Sequence, residues 1–479
     1  MVSRNFLAAT REYSFHLIKQ YWVETSLVSL WVTAILNIQG NIGSGHDSPG
    51  YIQGATCFLQ EGASCTTGRE PVYPMFLALL LNYGQELVSA IPLVQNVFFL
   101  LALLFYVFTC LDSGRLNRHI VVRVSLLVAL IPTFLITLNG AIYTESISAS
   151  FTLIQLGLVV RFIRSTVFNY EIGGIEGNKT WATLLAISVI AGVTSLIKGS
   201  FYYVQICFGV GVLLAILTWQ FTRLHRVRLL PSISITICLI GSPLIYFYGW
   251  SLLQQPNSVN GIFGRGGAHL YGHTEYARTF NFRTDSYLFL ADALSESGCK
   301  TLFGKQCDSF GWQQEYYGRN FEGWNLYRLD DYYTRVTKPN LTDDEYLWLG
   351  KRNLFQQPFL QFGFMFFAWS RFILHHTTTG FASITLPIVH AIATSFWFSL
   401  VLKVANLAIY AGLFWLLRWR DIQSKPELLI PILFFFAYLL PYGFAATVVR
   451  MVYPVAPLLV LILADLALQR WGTKRQLNG

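Results

Sequence analysis

Long apolar stretches separated by polar loops dominate this chain. An α-helix needs about 20 predominantly apolar residues to cross a bilayer, and ten stretches approach that length. The pattern therefore predicts membrane-spanning helices at 24–41, 88–111, 120–138, 146–163, 181–197, 201–221, 229–250, 388–417, 427–446 and 452–469. No internal repeat accompanies them. The predicted fold class is an all-α polytopic membrane protein, a helical bundle of about ten transmembrane helices.

Lys and Arg indicate which side of the membrane each loop faces. They concentrate in the loops after the second, sixth and eighth stretches and in the C-terminal tail, whereas the alternate short loops hold only Lys198 and Arg450. Cytoplasmic loops carry the excess of cations, so we predict cytoplasmic termini. The chain then divides into a transmembrane half at 1–250 with an outer loop at 42–72, a large extracytoplasmic loop region at 251–385 with interfacial helices, and transmembrane helices at 386–479.

Composition supports a membrane location. Of the 479 residues, 54% are hydrophobic and only 12% are charged, against roughly 25% charged in soluble domains. The net charge of +9 forms no basic stripe interleaved with aromatics, so no nucleic-acid partner is predicted. We expect a multi-pass protein of an inner or plasma membrane, with membrane lipids as partners.

Four cysteines lie as two pairs within the predicted outer segments. Cys57 and Cys65 share the first loop, and Cys299 and Cys307 share the long one. Local disulfides and an oxidising compartment are the favoured interpretation. Metal binding is the alternative, but neither a His cluster nor a CxxC spacing supports it, so we predict neither a metal nor any other cofactor.

Two carboxylates stand at the predicted outer membrane level. Asp47 follows the first apolar stretch, where ionisable groups are costly and often functional. It could remove a proton from a hydroxyl or cap a turn together with Ser48 and Pro49. Glu145 could be a helix N-terminal carboxylate favoured by the helix dipole or a second active-site acid.

Isolated cations lie at the same level. Arg69, Lys198 and Arg450 could bind a phosphate or carboxylate or anchor the chain at lipid headgroups. Lys198 requires a counter-charge, for which Glu145, Asp47 and a substrate phosphate are candidates. The glycine-rich segment containing Arg265 and His269 could be an ordinary loop or a flexible cover over a substrate.

Taken in order, these segments resemble the GT-C superfamily of membrane glycosyltransferases. Short motifs carry the resemblance: Asp47 with Tyr51 and Ala55, the Arg-Glu-Pro-Val-Tyr-Pro run at 69–74, the acidic turn at 143–145, the glycine-to-Lys-Gly step at 192–199, and the Arg, Tyr and Pro residues at 450–457. Many relatives have two adjacent acids where this chain has His46 and Asp47, so no metal is carried over.

The resemblance implies a GT-C-like bundle whose first half is catalytic. It implies inverting transfer of a sugar from a polyprenyl-phosphate donor to a hydroxyl of a lipid, glycan or protein, on the extracytoplasmic face. Asp47 and Glu145 would then be catalytic, and Arg69, Tyr73, Lys198, Arg265, His269 and Arg450 would bind the donor phosphate or substrate. An O-antigen polymerase or ligase and a lipid-linked sugar transporter are the alternatives.

Overall fold

A computed structural model provides the fold. It describes residues 22–37, 48–62, 65, 70–82, 90–111, 118–131, 144–168, 177–221, 229–253, 266–283, 286, 341–374, 396–416, 425–445, 455, 457–463 and 466. Within these ranges the regular structure is helical.

The described helices include counterparts of most of the predicted apolar stretches, together with five helices that lie outside those stretches. In chain order they are α1 (Trp22–Asn37), α2 (Ser48–Glu61), α3 (Val72–Asn82), α4 (Ile91–Leu111), α5 (Arg118–Ile131), α6 (Thr144–Ile163), α7 (Gly177–Ile197), α8 (Ser200–Trp219), α9 (Leu229–Leu253), α10 (Gly266–Thr279), α11 (Asp343–Gln356), α12 (Pro358–Leu374), α13 (Phe396–Leu416) and α14 (Pro426–Ala445). A π-helical turn at Arg164–Phe168 extends α6.

Five of the described helices are long and apolar enough to cross a membrane. They comprise Thr144–Thr166, Thr180–Ile197, Ser200–Trp219, Leu230–Trp250 and Pro426–Gly443. This result indicates an integral membrane protein, and it confirms the helical class predicted from the apolar stretches. The total of ten spans, the cytoplasmic termini and the division into three regions stay predictions.

The bundle is organised around α6. This helix packs against α4, α7 and α14, while α8 packs against α9 and α14. Apolar side chains from these helices form one continuous core. Ion pairs link helix ends: Arg164 Nη2 lies 3.2 Å from Glu427 Oε2. Charges at helix ends avoid the cost of placing an ionisable group in the hydrocarbon.

The predicted first loop contains α2, and α3 begins at its last residue. Tyr51 of α2 meets Tyr73 of α3 edge to face, with ring centroids 5.1 Å apart, and both side chains are buried. At 11 residues, α3 is about 16 Å long, which is too short to span a bilayer although it is strongly apolar. A disulfide joins Cys57 of α2 to Cys65, confirming the first predicted bridge. The predicted Cys299–Cys307 bridge lies outside the described residues.

Removing this bridge should destabilise the pair formed by α2 and α3. We expect Cys57→Ser/Cys65→Ser to lower the free energy of unfolding by roughly 2–3 kcal/mol, because closing a short loop restricts the unfolded chain in the entropy model. Thermal unfolding in detergent, with and without reductant, measures this effect. The control is Cys207→Ala/Cys238→Ala, since both are free thiols. Equal sensitivity to reductant in both variants would contradict the expectation.

Helices α10, α11 and α12 form a unit with its own aromatic core. We call it the outer unit, because it belongs to the segment predicted to be extracytoplasmic. The Asp343 carboxylate accepts hydrogen bonds from the backbone N–H groups of Gly267 and Ala268, at 3.1 and 3.0 Å, and so caps α10. A Cβ on Gly267 would lie 2.0 Å from the Asp343 carbonyl oxygen. The end of the glycine-rich segment is therefore the N-terminus of a helix. Glycine at position 267 is required there because a side chain would collide with the Asp343 backbone.

Candidate functional site

Glu145 and Lys198 form a buried ion pair. Lys198 Nζ lies 3.2 Å from Glu145 Oε1, and the two residues are only 8% and 3% exposed. Glu145 stands in the first turn of α6, and Lys198 directly follows the last residue of α7. Each charge therefore complements its helix dipole. Of the counter-charges predicted for Lys198, the structure provides Glu145.

The connection between α7 and α8 contacts the first loop through Glu70. The backbone N–H of Gly199 donates a hydrogen bond to Glu70 Oε1 at 2.8 Å. A carboxylate thus occupies the break between the two helices, adjacent in sequence to Lys198. A Cβ on Gly199 would stand 2.9 Å from that oxygen, so glycine here permits the contact.

The next residue connects the same point to α14. The hydroxyl groups of Ser200 and Tyr442 share a hydrogen bond. Lys198 Nζ lies 5.7 Å from the centroid of the Tyr442 ring, within range of a cation–π interaction. The Tyr438 ring packs against the Tyr442 ring in a tilted arrangement, with ring centroids 4.7 Å apart. Three consecutive residues, 198 to 200, therefore contact α6, the segment before α3, and α14.

Tyr73 belongs to the neighbouring helical pair. Its hydroxyl donates to Gln95 Oε1 of α4 at 3.0 Å, and the side chain is fully buried. In this arrangement Tyr73 fixes α3 against the bundle. Asp47 immediately precedes α2 in the sequence, but it lies outside the described residues.

Three other predicted site residues, Arg69, Arg265 and Arg450, also lie outside the described part. His269 is half-buried on α10, in the outer unit. One turn later, His273 is buried against the Phe364 ring. Burial lowers the pKa of His273 to about 3, so this side chain is neutral at physiological pH and supplies no positive charge for a phosphate.

Polar side chains continue from the ion pair into the bundle. Gln155 of α6 and Gln205 of α8 exchange two amide hydrogen bonds, of 2.7 and 2.8 Å. Ten residues separate Gln155 from Glu145, or about 15 Å along a helix. Between them, Ser148 and Thr152 lie on the same face by helical spacing, and their buried hydroxyls have no hydrogen-bond partner among the residues that the structure describes. This line of residues is the polar stripe of α6.

No metal site emerges from the described residues. They contain no group of three or more His, Cys, Asp or Glu side chains placed to hold an ion. What the described site offers is a paired cation and carboxylate, a second carboxylate at Glu70, and the hydroxyls of Ser200 and Tyr442. Such groups can bind a phosphate, hydrogen-bond a sugar or accept a proton.

No known protein family, curated protein or solved structure matches this chain.

The contact of Glu70 and the site position of Tyr442 are what sequence reasoning missed. The sequence offers Glu70 only as a replacement base should Asp47 be structural, and nothing in its motif indicates the contact with Gly199. Tyr442 lies in an apolar helix with the spacing of an ordinary core aromatic. Its contact with Ser200 joins residues 242 positions apart, and no local pattern reveals such a contact.

Gly199→Ala should test the contact with Glu70. The added methyl group displaces the carboxylate, and a hydrogen bond to a charged group contributes about 1.5–3 kcal/mol. We expect lower thermal stability in detergent. Gly211→Ala on α8 is the matched control, because its Cβ would meet an ordinary contact, 3.7 Å from Leu433.

A double-mutant cycle distinguishes loss of the Gly199–Glu70 hydrogen bond from a direct effect of alanine on the backbone at position 199. In a Glu70→Ala background, Gly199→Ala should cost little, because the oxygen it displaces is gone. The same loss of stability in both backgrounds would show that Glu70 is not the cause.

Proposed function

We propose that this protein is a GT-C-type membrane glycosyltransferase. It transfers a sugar, with inversion, from a polyprenyl-phosphate donor to a hydroxyl of a lipid, glycan or protein acceptor on the extracytoplasmic face. The observation that carries the proposal is the buried Glu145–Lys198 pair, which lies at the ends of two candidate spanning helices. Buried charges in a membrane bundle are costly and tend to be functional.

The side of the membrane on which the site lies determines which kind of sugar donor it can use. Nucleotide sugars remain in the cytoplasm, so a site on the outer face requires a sugar carried by a lipid. Ten spans, cytoplasmic termini and outer segments at 42–72 and 251–385 are the topology that accompanies this proposal. Under it, the α6 end bearing Glu145 and the α7–α8 connection lie at the outer membrane level.

Each group then has a role that follows from its chemistry. Asp47 removes the proton of the acceptor hydroxyl as the oxygen attacks the anomeric carbon. Lys198, aided by Arg69 and Arg450, stabilises the negative charge that grows on the leaving polyprenyl phosphate. Glu145 pairs with Lys198 and orients it, and serves as the second acid of the site. Arg265 and His269 contact the substrate from the outer region, and Tyr73 borders the donor site.

The polar stripe of α6 favours the second candidate, transport of a lipid-linked sugar. Transporters place polar groups near the bilayer midplane, and Gln155 pairs with Gln205 well inside the bundle. Transport needs no proton-abstracting carboxylate at the outer surface, so the two functions differ in their dependence on Asp47.

The deciding experiment uses the purified full chain in liposomes with a radiolabelled polyprenyl-phosphate sugar. Transfer of the label to an acceptor added outside supports the glycosyltransferase. Movement of intact labelled lipid between leaflets, with no transfer, supports the transporter. Transfer from a diphosphate-linked oligosaccharide, but not from the monophosphate donor, would instead indicate the polymerase or ligase class.

A further inference from the structure

A row of aromatic side chains is exposed on α11 and α12. Phe359, Phe355 and Trp348 are 92%, 79% and 61% exposed, and Phe362 and Phe366 extend the row along α12. These five residues are the aromatic row. Soluble surfaces rarely expose contiguous apolar patches of this kind, and those that do are commonly binding sites for proteins or membranes.

The opposite faces of the same helices fix the row in place. Tyr346 and Leu349 of α11 are buried in the outer unit with Phe364 of α12. The indole N–H of Trp369 donates to the carbonyl oxygen of Leu439 on α14 at 3.3 Å. A Cβ on Gly443 would lie 2.5 Å from side-chain atoms of Met365 and Trp369. The outer unit is therefore packed closely on a candidate spanning helix, and the row continues from that helix outward.

Two cations interrupt the row on α11. Lys351 and Arg352 are exposed, and with Trp348 and Phe355 they follow the spacing of one helix face. The Arg352 guanidinium lies 5.2 Å from the centroid of the Trp348 ring. Aromatic and cationic residues together on one exposed face are the composition of helices that lie in a membrane interface. The cations complement the phosphates of anionic lipids.

The charges in the first turn of α11 predict how this helix would tilt relative to the membrane surface. Asp343, Asp344 and Glu345 are all acidic, and acidic groups are repelled by a negatively charged lipid surface. Contact with lipid should therefore deepen along the chain, from the acidic turn through Trp348 to Phe355 and Phe359.

We propose that the aromatic row docks on the bilayer surface and that Lys351 and Arg352 bind the phosphates of anionic phospholipids there. The docked aromatic row holds the outer unit at a fixed depth beside the bundle. This proposal does not depend on which substrate the protein uses.

Depth-dependent quenching tests the docking. A genetically encoded environment-sensitive fluorescent residue replaces Trp348, Phe355, Phe359 or, as the control, Glu345 in the full chain in nanodiscs. Nitroxide-labelled lipid should quench positions 355 and 359 several-fold more than position 345, whereas aqueous iodide should show the reverse order. Equal iodide quenching at all four positions overturns the proposal. Protection of the row from both quenchers also overturns it, because a protein then covers the row.

Lipid composition tests the cations. Emission from position 355 should shift to the blue when phosphatidylglycerol is added to phosphatidylcholine nanodiscs. Lys351→Gln/Arg352→Gln should abolish that shift, and Arg283→Gln, an exposed cation of the outer unit, should preserve it. If the protein that retains Lys351 and Arg352 shows the same emission from position 355 in both lipid mixtures, no anionic headgroup is bound there, and this part of the proposal is overturned.

Discussion

Asp47→Asn is expected to slow sugar transfer by roughly 10²–10⁴-fold, the usual contribution of a positioned general base. The acceptor hydroxyl is a poor nucleophile, and it needs to lose its proton as it attacks. Asparagine preserves the size and much of the hydrogen bonding of the side chain, but it cannot accept that proton. The loss should therefore appear in kcat, with little change in donor affinity. The assay is transfer from a radiolabelled polyprenyl-phosphate sugar in liposomes.

Two variants make this result specific. Asp47→Glu should also be impaired, because the extra methylene displaces the base by about 1 Å, and positioning errors of that size lower rates substantially. Asp344→Asn is the matched control, since Asp344 is exposed on α11. If Asp47→Asn transfers at the wild-type rate at normal abundance, Asp47 is a structural residue, and the proton acceptor should be sought at Glu145 or Glu70.

Much of the helical framework could be predicted, because a long apolar stretch favours a helix in a membrane. The stretch predicted at 181–197 is the helix Gly177–Ile197, and the stretch at 229–250 is Leu229–Leu253. The sequence also offered Glu145 as a partner for Lys198. Two isolated opposite charges predicted at the same membrane level are each costly to bury alone, so pairing them is favourable. This prediction needed no knowledge of which helices are neighbours.

The remaining contacts depend on which helices are neighbours. Glu70 reaches the Gly199 N–H across 129 residues of sequence, and neither residue has a local pattern that specifies the other. The Gln155–Gln205 pair joins α6 to α8 in the same way. The start of α10 was missed for a different reason: its glycines indicate a loop until the close approach of Asp343 is known.

Lys198→Met is the second large-effect variant. It removes the cation and leaves Glu145 as an uncompensated buried carboxylate, a change that typically costs 3–5 kcal/mol. We expect a lower unfolding temperature in detergent and a raised KM for the polyprenyl-phosphate donor. Lys198→Met/Glu145→Gln removes both charges and should recover most of the lost stability, because no unpaired charge remains.

Donor affinity distinguishes a substrate-binding lysine from a purely structural one. If Lys198 contacts the donor phosphate, the double variant should be stable yet retain a raised KM. The matched control is the ion pair between Arg123 and Glu24, which joins α5 to α1 at 2.9 Å. Arg123→Met should lower stability, and its double variant with Glu24→Gln should regain part of it, with donor KM unchanged throughout. Recovery of both stability and KM in Lys198→Met/Glu145→Gln would assign that pair a structural role, because the donor phosphate would then bind equally well without the lysine.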